Sequence, residues 1–305
     1  MDRISQVLNG QTKAAVFPLV CADHCAHLLK LEFSEVATNG KKLADVLTYG
    51  YELYQYDMVL VFSDPYVEAQ SMGCPVELDP YPTLRGPKSS KRIDRTNEIF
   101  KAAETLKQKL DVPVFVSIKG PFSLAAFLGG IENFLKLLLK KELEAFKLLD
   151  EAMRFQEDYL NRLLTLGVNV FIGDPLSSSS VISPTFFAKY ALPGIKALVQ
   201  KIKAHEVLAG LHICGDTRPI IQTIDRIGAD ILSIENITTR TKTIRMGGVS
   251  THTILSGNKS GIASEVTNAL SSKPIILSTS CDVPPQTNPG SIKTMLSVAR
   301  EHRES

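Results

Sequence analysis

The sequence predicts a (β/α)8 barrel of the TIM type in a single domain spanning residues 1–305. Three observations carry that expectation. Eight short runs rich in β-branched or aromatic residues recur along the chain, most of them followed by a helical pattern. The runs are mostly continuous rather than alternating, as in parallel strands buried on both faces. No repeat, low-complexity tract or linker divides the chain, and 305 residues is an ordinary length for one such barrel.

The strand candidates, in order, are Ala15–Val20, Met58–Phe62, Val112–Ile118, Val168–Ile172, Val207–Ile213, Asp230–Ile234, His252–Ser256 and Pro274–Ser278. Between them, Ile131–Leu166 has helical spacing and enough length for two helices. Pro184–Ala204, Thr217–Ile227, Ala263–Leu270 and Ser291–Arg300 are shorter helical segments. Ser183 before Pro184, and Asp216 before Thr217, supply capping side chains. Gln70–Arg92 is rich in Pro, Gly, Ser and Lys and reads as a long loop at the barrel mouth. An open doubly wound sheet is the alternative, but neither GxGxxG nor GxxxxGK[ST] is present.

Composition excludes several classes. Lys and Arg total 34 against 32 Asp and Glu, a net charge of +2, which gives no electrostatic case for nucleic acid or an anionic membrane. The start, MDRISQVLNGQTK, does not read as a signal peptide, and no apolar run is long enough to span a bilayer. Five scattered cysteines then suggest reduced thiols in a cytoplasm, free for metal ligation.

In a barrel, chemistry gathers where strands end. Those positions here hold Cys21, Asp23, Asp64, Lys119, Asp174, His212, Cys214, Glu235, Asn236, Asn258, Lys259, Cys281 and Asp282. His212 and Cys214 stand at i and i+2, so both point to one side of a strand. With Glu235 and Cys281 they offer N, S, O and S donors, a tetrahedral zinc set in which Glu235 is the replaceable ligand. Cys21, Asp23, His24, Cys25 and His27 form a rival cluster whose spacing fits no zinc finger; a loop packed into the mouth is the simpler reading. Glu68 and Glu77 read as solvated or capping residues, and Met72 with Phe186–Phe187 as core.

The stretches GLHICGDTRPII, LSIEN and LSTSCDVPPQTNP resemble the uroporphyrinogen decarboxylase superfamily, as do VFSDPYVEAQSMGCPVEL and IGDPLSSSSVISP. The resemblance is closest to the cobalamin-dependent methyltransferase branch. It implies zinc at His212, Cys214 and Cys281, with Glu235 as a less certain fourth ligand. The donor it implies is methylcobalamin, brought by a methylated corrinoid protein or free in solution. The decarboxylases proper carry an arginine-rich segment after the first strand; here that place reads LVCADHCAHLLK, with no arginine to hold a polycarboxylate. Asp64 matches the decarboxylase aspartate without that setting, so decarboxylation is secondary, as is a non-catalytic corrinoid-binding module.

Two acceptors fit that branch, tetrahydrofolate and a small thiol such as coenzyme M. Zinc favours the thiol, because coordination deprotonates it. A sulfonate, however, calls for cations, and the strand ends offer only Lys119 and Lys259. Carboxylates and amides suit the N–H groups of a pterin. The expectation is therefore tetrahydrofolate, held by Asp64, Asp174, Asn236, Asn258 and Lys259, with Asp64, Asp174 and Glu235 as the catalytic carboxylates.

Overall fold

A computed structural model describes residues 1–89 and 91–302. Eight parallel strands form one curled sheet: β1 (Ala14–Val16), β2 (Val59–Val61), β3 (Val114–Lys119), β4 (Asn169–Gly173), β5 (Ala209–Ile213), β6 (Ile231–Ile234), β7 (Ile244–Val249) and β8 (Ile275–Thr279). Neighbours pair in the order β1-β8-β7-β6-β5-β4-β3-β2. Helices lie between consecutive strands except β6 and β7, which a loop joins, and the fold is the expected barrel. Nearly every strand residue is buried, which is why the runs read as continuously apolar.

The ring closes between β1 and β2 without a strand ladder among the described residues. Asp57 makes the joint: its backbone N–H donates to the Val16 carbonyl at 2.9 Å, and its carboxylate accepts from the Val16 N–H at 2.6 Å.

Seven of the eight predicted runs overlap a barrel strand; the seventh does not. Thr251–Ser256 is a helix with Ser250 as its N-cap, and the strand is Ile244–Val249 instead. The sequence IRMGGV hides that strand behind a charge and two glycines. Arg245 is buried there because its guanidinium donates to the carbonyls of Ile237, Thr239 and Ser272. Gly247 and Gly248 have φ of 147° and 122°, and a Cβ on them would lie 2.5 Å from the Ile234 carbonyl oxygen and 2.5 Å from the Ala269 Cβ.

The long helical segment is two helices, Ile131–Lys140 and Glu142–Thr165. The segment after Ser183 is helical from Pro184 to Lys203, with one wide π-type turn over Phe187–Ala191. That turn lies just before Pro193, which has no N–H to donate back. The expected mouth loop contains a short antiparallel hairpin, Val76–Glu77 against Thr83–Leu84.

The strand register positions the site. Lys119 on β3, Gly173 on β4, His212 on β5, Ser233 on β6 and Met246 on β7 are successive cross-strand partners. They make one layer near the C-terminal ends of the strands. Below it, the Phe171 ring fills the interior against Phe115, 5.7 Å between centroids. It fits because Gly210 opposite has no Cβ; one would stand 2.4 Å from the ring.

Candidate active site

Above Phe171 lies a cavity of about 220 Å³, open at the C-terminal face of the barrel. Its wall is largely apolar, with Leu19, Leu60, Phe62, Phe171 and Met246. The polar groups facing it are Ser117, Lys119, His212, Cys214, Ser233, Cys281 and Asp282. Leu19 is held at φ 44°, an uncommon backbone state for a leucine. Its carbonyl accepts from the Val283 N–H and the Cys21 thiol, which ties the end of β1 to the loop after Cys281.

His212, Cys214 and Cys281 converge on the cavity wall. Their ligand atoms lie within 4.8 Å of one another, and among the described residues this is the only such cluster of three or more. His212 Nε2 is 2.8 Å from Cys214 Sγ, and the two sulfurs are 3.6 Å apart. Two thiolates sharing a tetrahedral zinc with bonds of ~2.3 Å stand about 3.8 Å apart, so the sulfur–sulfur spacing fits the ion, while the imidazole nitrogen would have to draw back from Cys214 to admit it. The other imidazole nitrogen, Nδ1, lies 2.9 Å from Ser233 Oγ, which fixes the ring as supporting hydrogen bonds do for metal-bound histidines. Two sulfurs and one nitrogen are a zinc-type donor set that leaves a coordination position for a substrate.

Glu235 is not part of this cluster. It is exposed, and its Oε1 accepts from the Gly215 N–H at 2.6 Å, bracing the loop just after Cys214. With no metal present, the residue expected as the exchangeable fourth ligand braces that loop.

The other acidic and amide residues expected to hold an acceptor are also engaged elsewhere. Asp64 is buried in a two-point ion pair with Arg95, at 2.6 and 3.1 Å, and accepts further from Ser63 and the Tyr66 N–H. A buried carboxylate must be paired in this way to offset its lost hydration. Asp174 is fully buried behind Gly120 and caps the helix Pro121–Gly129, its Oδ1 accepting from the Ser123 N–H at 2.8 Å and from the Ser123 hydroxyl. Burial raises its carboxyl to about 6, against the lowering effect of those hydrogen bonds. Asn236 accepts from Thr238 in a local turn. Asn258 follows a helix rather than a strand; it is the exposed N-cap of Lys259–Leu270, so Lys259 starts that helix instead of ending β7. None of these five residues lines the cavity.

The rival cluster after β1 disperses. Cys21 and Cys25 are buried thiols, and burial pushes both well above the usual thiol range. His24 is buried between the Pro285 carbonyl (3.1 Å) and the Tyr54 hydroxyl (2.8 Å), and burial lowers it to about 4. Glu68, expected at the surface, is buried and accepts from the Lys119 N–H at 2.7 Å.

Two cavity residues escaped the sequence reading of the site. Asp282 follows Cys281 directly and faces the cavity. Lys119 is 5% exposed and reaches into it. Both stood among the strand-end residues, but only the register places Lys119 in the layer of His212.

A family model for uroporphyrinogen decarboxylase (URO-D) matches residues 1–302. The chain belongs to the uroporphyrinogen decarboxylase family. Within it, the chain is 27% identical to the methylcobamide:CoM methyltransferase MtbA of Methanosarcina mazei, over 99% of this chain and 98% of that one. It is 26% identical to the methylcobamide:CoM methyltransferase MtaA of Methanosarcina barkeri, covering 88% and 86%. A uroporphyrinogen decarboxylase of Thermodesulfovibrio yellowstonii is 24% identical over 68% of this chain and 65% of its own. Among solved structures, a methyltransferase from Methanosarcina mazei superposes with a TM-score of 0.85 at 22% identity, over 97% of this chain and 96% of that one. The resemblance to the methyltransferase branch of the family therefore holds along the whole barrel.

Proposed function

We propose that this member of the decarboxylase family is a methyltransferase that moves a methyl group from a methylated corrinoid to the sulfur of a small thiol, as coenzyme M. The observation that carries the reading is the convergence of His212, Cys214 and Cys281 on one wall of a small apolar cavity. The relatives named for the same transfer, matched over nearly their whole length, support it. Zinc on these three residues would supply a positive charge that makes a bound thiol release its proton at neutral pH.

The chain's own residues do the rest. Ser233 holds the His212 ring with Nε2 toward the two cysteines. Leu60, Phe62, Phe171 and Met246 keep water from the acceptor sulfur, which sharpens its nucleophilicity. The open C-terminal face admits the corrinoid, so that the sulfur attacks the methyl carbon in line with cobalt. The S–C bond forms as the Co–C bond breaks, and the bonding pair leaves with cobalt.

Tetrahydrofolate loses its support at the residue level. Asp64, Asp174, Asn236 and Asn258, the acceptors expected to face a pterin, all bond elsewhere. A single lysine among the cavity's polar groups also gives a polycarboxylate macrocycle little to hold it.

The test is spectral. Protein mixed with methylcobalamin should discharge the methyl–cobalt absorbance when coenzyme M is added and not with tetrahydrofolate. Cys214→Ala should lose that activity together with zinc measured by elemental analysis. Discharge with tetrahydrofolate alone, or full zinc content in Cys214→Ala, rejects the reading.

A further inference from the structure

The cavity contains a buried cation with no partner. Lys119 is 5% exposed, yet its ammonium makes no hydrogen bond or ion pair among the described residues. It approaches the face of the Phe62 ring, 5.9 Å from the centroid. Of the neighbouring carboxylates, Glu68 accepts from the Lys119 backbone N–H, Asp174 caps its helix through Ser123 with Oδ1 alone, and Asp282 faces the same cavity. Removing an ammonium from water is costly unless an anion replaces the lost hydration. Glu68, Asp174 and Asp282 attract the ammonium from farther off, but among the described residues none comes within ion-pair distance, and Lys119 faces the space a substrate would fill.

The register says where that anion belongs. Lys119 and His212 are separated by one strand, with Gly173 between them in the same layer. At about 4.8 Å per strand their backbones are some 10 Å apart. A Cβ on Gly173 would come within 3.9 Å of Lys119 Nζ, so the ammonium reaches over the glycine toward His212. The missing side chain opens a short lane from the ammonium to the sulfur–nitrogen cluster.

We infer that Lys119 is the anchor for an anionic group on the acceptor, and that Gly173 beside it leaves room for a short spacer between that anion and the thiol. The inference rests on the small-thiol reading above and narrows it to thiols carrying a sulfonate or similar anion a few bonds from sulfur. Lys119 is a specificity-determining residue here; the sulfur end is held by the cluster on the opposite wall.

Calorimetric titration of the zinc-loaded protein separates the two ends of the ligand. Three probes suffice: 2-mercaptoethanesulfonate, 2-mercaptoethanol with the same spacer and no charge, and ethanesulfonate with the charge and no thiol. The wild-type protein should bind the charged thiol about tenfold or more tighter than the neutral one, the usual worth of a charge-assisted hydrogen bond. Lys119→Met should erase that ratio and abolish ethanesulfonate binding, with 2-mercaptoethanol affinity unchanged; Lys119→Arg should keep part of the ratio. Gly173→Ala, whose new methyl meets only ordinary contacts, should weaken the charged thiol while the protein keeps its zinc. Equal binding of the two thiols by the wild type, or a preference that persists in Lys119→Met, overturns the inference. If Lys119→Met does not fold, the wild-type ratio and Gly173→Ala decide. Lys119-dependent ethanesulfonate binding without any thiol methylation would sink the proposed function and leave the anion site standing. Thiol methylation indifferent to charge would do the reverse.

Discussion

Single side chains in this barrel are sorted by burial and partnership. His24 shows it with a pH signature. Its ordinary value is 6.5 and burial lowers it to about 4, so the folded protein binds fewer protons than the unfolded chain between those values. The stability it contributes is complete above pH 6.5 and is lost as pH falls through 4. Over that interval the wild type should lose on the order of 2–3 kcal/mol relative to His24→Gln, read from urea unfolding at pH 7 and pH 4.5. Matching slopes for the two proteins would remove the effect. The residue scale also shows what chemistry-bearing letters can reveal. His212 and Cys214 were legible because a two-residue spacing on a strand fixes a common side, and Cys281 because it ends a clear apolar run. Asp64 and Asp174 were misleading, since a carboxylate at a strand end looks the same whether it meets Arg95, a helix N-terminus or a substrate.

Strands and helices were legible where the run was apolar, and opaque where a tertiary contact replaced it. β7 is the case in point. Its arginine is satisfied by two carbonyls of the preceding loop and one from Ser272, and its glycines are demanded by Ile234 and Ala269, contacts that exist only once the chain is folded. The run HTILS, which looks like a strand, has instead Ser250 at its start and left-handed Gly257 at its end, both helix-boundary features. Gly248→Ala would strain φ and press a methyl into Ala269. It should cost about 2 kcal/mol or more in denaturant unfolding, whereas Gly228→Ala, strained in φ but open in space, should cost less. Equal losses would show that crowding behind β7 is not what selects its glycine. The misplaced strand also explains why Asn258 and Lys259 were read as site residues.

For the molecule as a whole, eight buried runs in alternation with helices were enough to predict a barrel, but not how its polar groups turn. That depends on register, which puts Lys119, Gly173 and His212 side by side from three distant segments. The same ring has one joint of a different kind, between β1 and β2. Elsewhere parallel ladders join neighbouring strands; here the hydrogen bonds of Asp57 to Val16 span the gap, with the Phe17 ring packed on Tyr56 beside them. Asp57→Ala should lower stability by about 1–3 kcal/mol, the loss expected when a charge-assisted bond to a partly buried N–H goes. Hydrogen exchange should show Val16 and its neighbours losing protection first, and uniform loss around the barrel would contradict that.

A hoop whose one joint lacks a ladder should give way there before it tears along a seam. Val16 and Leu19 are three residues apart, and Leu19 is both cavity wall and support for the loop that follows Cys281. Loosening at Asp57 therefore runs to the wall that carries Cys281, and a substitution remote from every sulfur could still disturb how His212, Cys214 and Cys281 converge.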